Sequence, residues 1–217
     1  QEALKYGPTT VLSNGTLITE GLSQTLARVS CISKHKLEFR VSLESFIEEE
    51  NDQIRGMGSF KKAIKGIQSL VHAGFNPIIT VADWSTYGRF TQEMAEGFQS
   101  LERSLNISRL RLKKLPLVLL GRCAEFVRPY DGGERVTVKC FDNYSMDNLQ
   151  CTTSRIVTSK GVFVCPILIS DPNAWMGWNL GDSLGPYTME SPACYTCRTS
   201  GLTCKNDDPL SSKINII

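Results

Sequence analysis

The chain is short of the features that most quickly betray a protein's class. No apolar run approaches the roughly 20 residues that a membrane-crossing helix needs, so no membrane span is expected. Charge of one sign is missing too. The 24 Lys and Arg nearly balance the 22 Asp and Glu, and a net charge of +2 gives no reason to invoke nucleic acid or an anionic membrane. Histidine is scarce: His35 and His72 stand far apart, form no metal-ligand spacing, and are expected at the surface. The opening Gln1-Glu2-Ala3-Leu4-Lys5 lacks the apolar core and cleavage region of a signal peptide. There is no starting Met, and a strand-like run follows closely, so the chain is expected to be a piece of a longer, cytoplasmic protein.

Cysteine is not scarce. Six of the eight cysteines crowd the last third: Cys140, Cys151, Cys165, Cys194, Cys197 and Cys204. Cys194-Tyr195-Thr196-Cys197 sets two thiols two residues apart, a spacing that one tight turn can aim at a single metal centre. Cys151 and Cys165 span a segment with Gly161 shortly before its end, and a hairpin there brings two more. Tetrathiolate sites suit zinc or iron–sulfur clusters. A disulfide framework is the other reading of eight cysteines. Such scaffolds are usually short and loop-rich, whereas this chain opens with long strand and helix patterns, so reduced, metal-binding thiols are expected. Cys31 and Cys123 stand alone and are expected to be small packing residues.

The first half alternates strand and helix signals. Thr9-Thr10-Val11-Leu12-Ser13 reads as a strand ended by Asn14-Gly15, and Ile18, Leu22, Leu26 and Val29 then recur at helical spacing. Leu37 to Leu43 reads as a second strand. A polar stretch from Glu48 to Gly58, whose Glu48-Glu49-Glu50 reads as a solvated loop that helps the following helix, leads to Ser59, a candidate helix cap, and Gly74 marks that helix's stop. Pro77 to Val81 is a third strand; Phe90, Met94, Phe98, Leu101 and Leu105 mark a third helix; Arg109 to Leu112 opens a fourth strand.

This βαβαβαβ order, in units of roughly thirty residues, predicts a parallel sheet with helical crossovers, covered on both faces and curling toward a barrel. Its first strand should have an unpaired edge. From about Pro129 turn residues multiply and helical periodicity fades, which places a boundary near residue 125. The expected class is therefore α/β: a partial (β/α) barrel over residues 1–125, then a small cysteine-rich α+β domain over residues 126–217.

Several short motifs resemble the later part of a radical S-adenosylmethionine (SAM) enzyme with a C-terminal SPASM or twitch domain. Ser13-Asn14-Gly15-Thr16 resembles the family's strand-ending Asn-Gly-Thr. Val41-Ser42-Leu43-Glu44 resembles its Ser-Leu-Asp-Gly, with Glu and Ser replacing Asp and Gly. Asn51-Asp52-Gln53-Ile54-Arg55-Gly56 with Gly58-Ser59-Phe60 resembles its His-Asp-x-x-Arg-Gly and Gly-Ser-Phe segment. In the second half the glycine-led hairpin ending in Cys165-Pro166, the Asn-Leu-Gly-Asp-Ser-Leu of residues 179–184, and Cys194-x2-Cys197 resemble the auxiliary-cluster region.

The resemblance implies that Ser42, Asp52 and Arg55 lie near the carboxylate and ribose of SAM. It implies one auxiliary 4Fe-4S cluster on Cys151, Cys165, Cys194 and Cys197, with Cys204 and then Cys140 as substitutes. It further implies a peptide or protein substrate and an electron donor such as flavodoxin or ferredoxin. The family's Cys-x3-Cys-x2-Cys, which holds the catalytic 4Fe-4S cluster, has no match here and is expected upstream in the parent, so this chain alone is expected to be inactive. A full SPASM domain has further cysteines after the position of Cys204, and Gly161 is one residue nearer Cys165 than usual. One cluster is therefore expected rather than two. The alternative is a non-catalytic module whose thiols bind zinc or a cluster only to hold the small domain together. A truncated product without an independent role is a third.

Overall fold

Four strands and their crossovers build the first part of the chain: β1 (Thr9–Ser13), α1 (Glu20–Ile32), β2 (Leu37–Ser42), α2 (Glu48–Arg55), α3 (Ser59–His72), β3 (Ile78–Asp83), α4 (Gln92–Ser104) and β4 (Arg111–Pro116). The computed structural model describes residues 1–83, 92–107, 111–125, 127–146 and 149–200. The expected helix residue Phe90 and the start of the fourth strand run at Arg109 lie outside these. The chain divides into two compact units, Gln1–Leu115 and Pro116–Asn206.

The strands form one parallel sheet in the order β1-β2-β3-β4, with no reversal of direction along the sheet. Thr9 pairs with Leu37 and Arg40 with Ile78, and β1 is an edge strand. Period-two alternation in Leu37-Glu38-Phe39-Arg40-Val41-Ser42 decides which side faces the helices. Leu37, Phe39, Val41, Ile79 and Val81 share one core with Ala63, Ile67 and Leu70 of α3 and Phe98 of α4, and Leu26 and Val29 of α1 pack against it. All three amphipathic helices thus serve the same face. The opposite face is mixed: Glu38, Arg40, Ser42, Ile78, Thr80, Arg111 and Lys113 lie on it, and Arg40, Ile78, Thr80 and Lys113 are buried.

Asn14-Gly15 closes no hairpin; it turns β1 into α1. Ser13 Oγ accepts from Gly15 N at 3.0 Å, and Asn14 Oδ1 accepts from Thr16 N at 3.1 Å. Gly15 has a φ of +77°, the left-handed region that favours glycine. Helix α3 crosses so closely above it that a Cβ on Gly66 would stand 2.3 Å from the Gly15 carbonyl oxygen.

The polar stretch after β2 is a helix rather than a loop. Glu48, Glu49 and Glu50 occupy the first turn of α2, where the helix dipole favours negative charge, and Arg55 closes the last. Ser59 is the first residue of α3 instead of its cap. Gly58 takes the cap position with φ +74° and has no side chain to offer; Asp52 reaches in from α2 to supply the missing acceptor. At the far end Gly74 donates to Val71 O and Phe75 to Leu70 O, the glycine-terminated stop expected from the sequence.

The second unit is built mostly of turns. Strands β5 (Ile156–Thr158), β6 (Gly161–Phe163) and β7 (Trp175–Gly177) form a small antiparallel sheet in that order. Gly161, at φ +107°, starts β6 where a Cβ would stand 2.5 Å from the Trp175 indole nitrogen. Helical order does return near the end: α5 (Pro192–Ser200) contains both Cys194 and Cys197.

Candidate metal centre

Phe163, Val164, Leu168, Ala174 and Ala193 form the small buried core of the second unit. Three of the expected ligands pack against it from three separate segments. Cys151 sits in a 3-10 turn (Gln150–Thr152), Cys165 follows β6 and begins the next turn ahead of Pro166, and Cys194 lies in the first turn of α5. The tight turn expected for Cys194 and Cys197 is instead this helix, where a spacing of three puts both on one side. Cys194 N donates to Ser191 O at 2.9 Å, which fixes its end of the helix. No disulfide joins any of the seven described cysteines to another.

The electrostatics register this convergence. Burial, then the neighbouring Cys165 and Cys151, push the Cys194 thiol up to about 11. Thiolates that oppose one another's ionisation form a donor set that a cation would relieve. Among the described residues no group of three or more His, Cys, Asp and Glu side chains is arranged to hold a metal ion. The thiol chemistry fits a thiophilic metal or cluster without forming a closed coordination shell. Cys204 lies outside the described residues.

Two residues that carry no spacing signal hold this site together. Arg155 donates to four backbone carbonyls: Cys151 at 2.8 Å, Ser154 at 2.8 Å, Ser183 at 2.6 Å and Gly185 at 2.9 Å. It thereby staples the Cys151 turn to the loop that contains the Asn-Leu-Gly-Asp-Ser-Leu stretch. Tyr187 follows that loop and packs on the same core as Cys194. Its phenol is raised well above the ordinary range, first by burial and then by the charges of Cys194 and Asp171.

The remaining cysteines have other surroundings. Cys140 lies in a separate 3-10 turn (Val138–Phe141), where its sulfur accepts from Thr137 N at 3.4 Å. That bond, the Thr137 hydroxyl and the nearby Arg198 guanidinium lower its pKa. Arg198, next to Cys197 in the chain, stacks 3.8 Å from the Tyr144 ring centroid. Cys123 is half-buried, and its thiol is raised by burial. Cys31 is exposed on the last turn of α1, not buried as expected, because it lies on the side of the helix away from Leu26 and Val29, which pack on the core. Trp175 and Trp178 meet edge-to-face at 5.7 Å and are both exposed; Met176 between them packs on the core in their place.

In the first unit, the residues expected near SAM gather at the carboxyl end of β2. Ser42 Oγ accepts from Thr80 Oγ1 at 3.3 Å. Asp52 is engaged in capping α3: its carboxylate accepts from Phe60 N at 2.8 Å, Ser59 Oγ at 2.9 Å and Gly58 N at 2.5 Å. The Phe60 amide, more than any other partner, holds its pKa below the ordinary value. Arg55 donates to Glu44 at 2.5 Å, and Glu44 also accepts from Ala82 N of β3 at 3.3 Å. These contacts tie the β2 end to the α2–α3 connection and to β3. No family model matches the chain, and no curated protein matches it.

Proposed function

We propose that this chain is the C-terminal part of a radical SAM enzyme, in which a partial (β/α) barrel precedes a domain that binds one auxiliary iron–sulfur cluster. The convergence of Cys151, Cys165 and Cys194 on one small core carries the reading. Cys197, one helical turn from Cys194, is the preferred fourth ligand, with Cys204 and then Cys140 as substitutes. The consecutive order of the parallel strands adds support, since a barrel winds in one direction whereas an open doubly wound sheet reverses.

SAM bound at the carboxyl ends of the strands, together with the parent's own cluster, would supply reductive cleavage for radical modification of a peptide or protein. Within this chain Ser42 and Arg55 offer a hydroxyl and a guanidinium at that end. Asp52 acts by holding the Gly58-Ser59-Phe60 turn in place. The auxiliary centre would anchor substrate or pass electrons received from a flavodoxin- or ferredoxin-type donor.

The test is anaerobic reconstitution of the purified chain with iron and sulfide. A brown protein with broad visible absorption and about four irons per chain, both lost in Cys165→Ser, supports the reading. Colourless protein with stoichiometric zinc supports a zinc module instead. The parent's class is tested separately by sequencing the coding DNA upstream of the Gln1 codon for an in-frame Cys-x3-Cys-x2-Cys.

A further inference from the structure

We propose that the amino-terminal end of the parallel sheet holds a binding site for a small aromatic carboxylate, at the opposite end of the strands from Ser42 and Arg55. The site depends neither on the radical SAM reading nor on the thiols of the second unit.

A cavity of about 560 Å³ lies at this end, within the range of small-molecule sites. Ala27, Ser30 and Cys31 share one side of α1 and give it a wall of small side chains. Phe75, in the turn after α3, lines a second wall. Lys36, Glu38 and Arg111, at the starts of β2 and β4, line the third.

Charge decides what fits. Lys36 Nζ at 2.8 Å and Arg111 Nη1 at 3.0 Å converge on the same oxygen of Glu38, Oε1. Two cations against one carboxylate leave the wall with one positive charge in excess. Arg111 Nη1 also reaches the Asn76 carbonyl at 3.5 Å, while its Nη2 and Nε meet no acceptor among the described residues. A guanidinium with unspent N–H groups beside an ammonium suits a carboxylate, which accepts charge-assisted hydrogen bonds from both. The carbonyl ends of α1 and α3 lie at this end too, and uncapped they would oppose an anion. Backbone amides cap them: Ser33 donates to Ser30 O, Gly74 to Val71 O and Phe75 to Leu70 O. Phe75 supplies the aromatic preference. Its ring meets Phe39 edge-on at 4.8 Å yet is only half-buried, which leaves part of its surface for a ligand ring.

The test titrates the full chain with 2-naphthoate and follows alkylation of the exposed Cys31 thiol, read peptide by peptide by mass spectrometry. Naphthoate should slow alkylation of Cys31 saturably and in preference to the other cysteines. The uncharged 2-naphthamide should bind roughly tenfold more weakly, because it forfeits the charge of the acceptor. Octanoate, a carboxylate without a ring, should protect less well than naphthoate at equal concentration. Arg111→Gln should weaken naphthoate by roughly tenfold as well. If that variant does not fold, Lys36→Gln serves in its place, since the Lys36 side chain is largely exposed, and a smaller loss of affinity is expected. Equal protection by naphthoate and either comparison compound overturns the proposal. So does unchanged affinity in the variants, or no protection at millimolar naphthoate.

Discussion

The two units are stabilised by different means. In the first, a regular sheet offers one apolar face to three amphipathic helices, and its core residues are aliphatic or aromatic. In the second, five buried residues make the core, three-residue strands flank it, and thiols fill positions where the first unit has leucine and isoleucine. A core that small supplies little hydrophobic free energy, and small scaffolds commonly add a metal or disulfides. The first unit therefore draws on a far larger apolar core than the second.

Removing Cys194 should produce the largest effect. Cys194→Ala is expected to abolish iron uptake and to leave the 116–206 unit far more susceptible to limited proteolysis than the reconstituted wild type. Unchanged iron content would break the contrast between the units.

Next in size is Leu70→Ala, which hollows the first core at a fully buried position. It should cost about 3 kcal/mol in chemical denaturation, the usual scale for such truncations, with amide exchange accelerated in α3 and β2. Arg155→Ala should follow at about 2 kcal/mol, since it deprives the part-buried Cys151 and Ser183 carbonyls, and two exposed ones, of a charged donor. Its effect should appear as faster exchange around Cys151 and in residues 179–185, and Arg155→Lys should recover only a fraction because one ammonium cannot span four carbonyls.

The pH dependence is smaller and differs in sign between the units. In metal-free protein the Cys194 thiol titrates at about 11 when folded, against 9.0 ordinarily. The folded state holds its proton longer than the unfolded state does. Stability is therefore complete below about pH 9 and is lost as pH rises toward about 11. Metal loading should reverse this trend, because thiolate ligation releases protons and so gains with rising pH. Asp52 behaves oppositely: its folded pKa lies below the ordinary 3.8, so its contribution is present above that value and fades as pH falls through the lowered one. Asp52→Asn should remove this acid dependence from α3, as measured by exchange of the Gly58 and Phe60 amides.

Much of the first unit was legible because period-two and period-3.6 patterns are local. Leu37-Glu38-Phe39-Arg40-Val41 announces a strand with one apolar and one polar side, and Ala63, Ile64, Ile67, Leu70 and Val71 announce a helix stripe. The polar α2 escaped that logic because it has no apolar stripe; its signal was the acidic first turn and basic last turn of Glu48 to Arg55. The capping role of Asp52 was hidden as well, since its partners lie six to eight residues onward and across a turn.

By themselves the residues determined the alternation of the first unit's strands with α1, α3 and α4, the glycine-led hairpin before Cys165 and the crowding of thiols toward the end, all of which depend on neighbours in sequence. Only the tertiary structure decided that Cys151, Cys165 and Cys194 pack on one core and that Arg155 ties the Cys151 turn to the 183–185 loop. Those relations join segments tens of residues apart, and they are set by the packing of a small core rather than by any local preference.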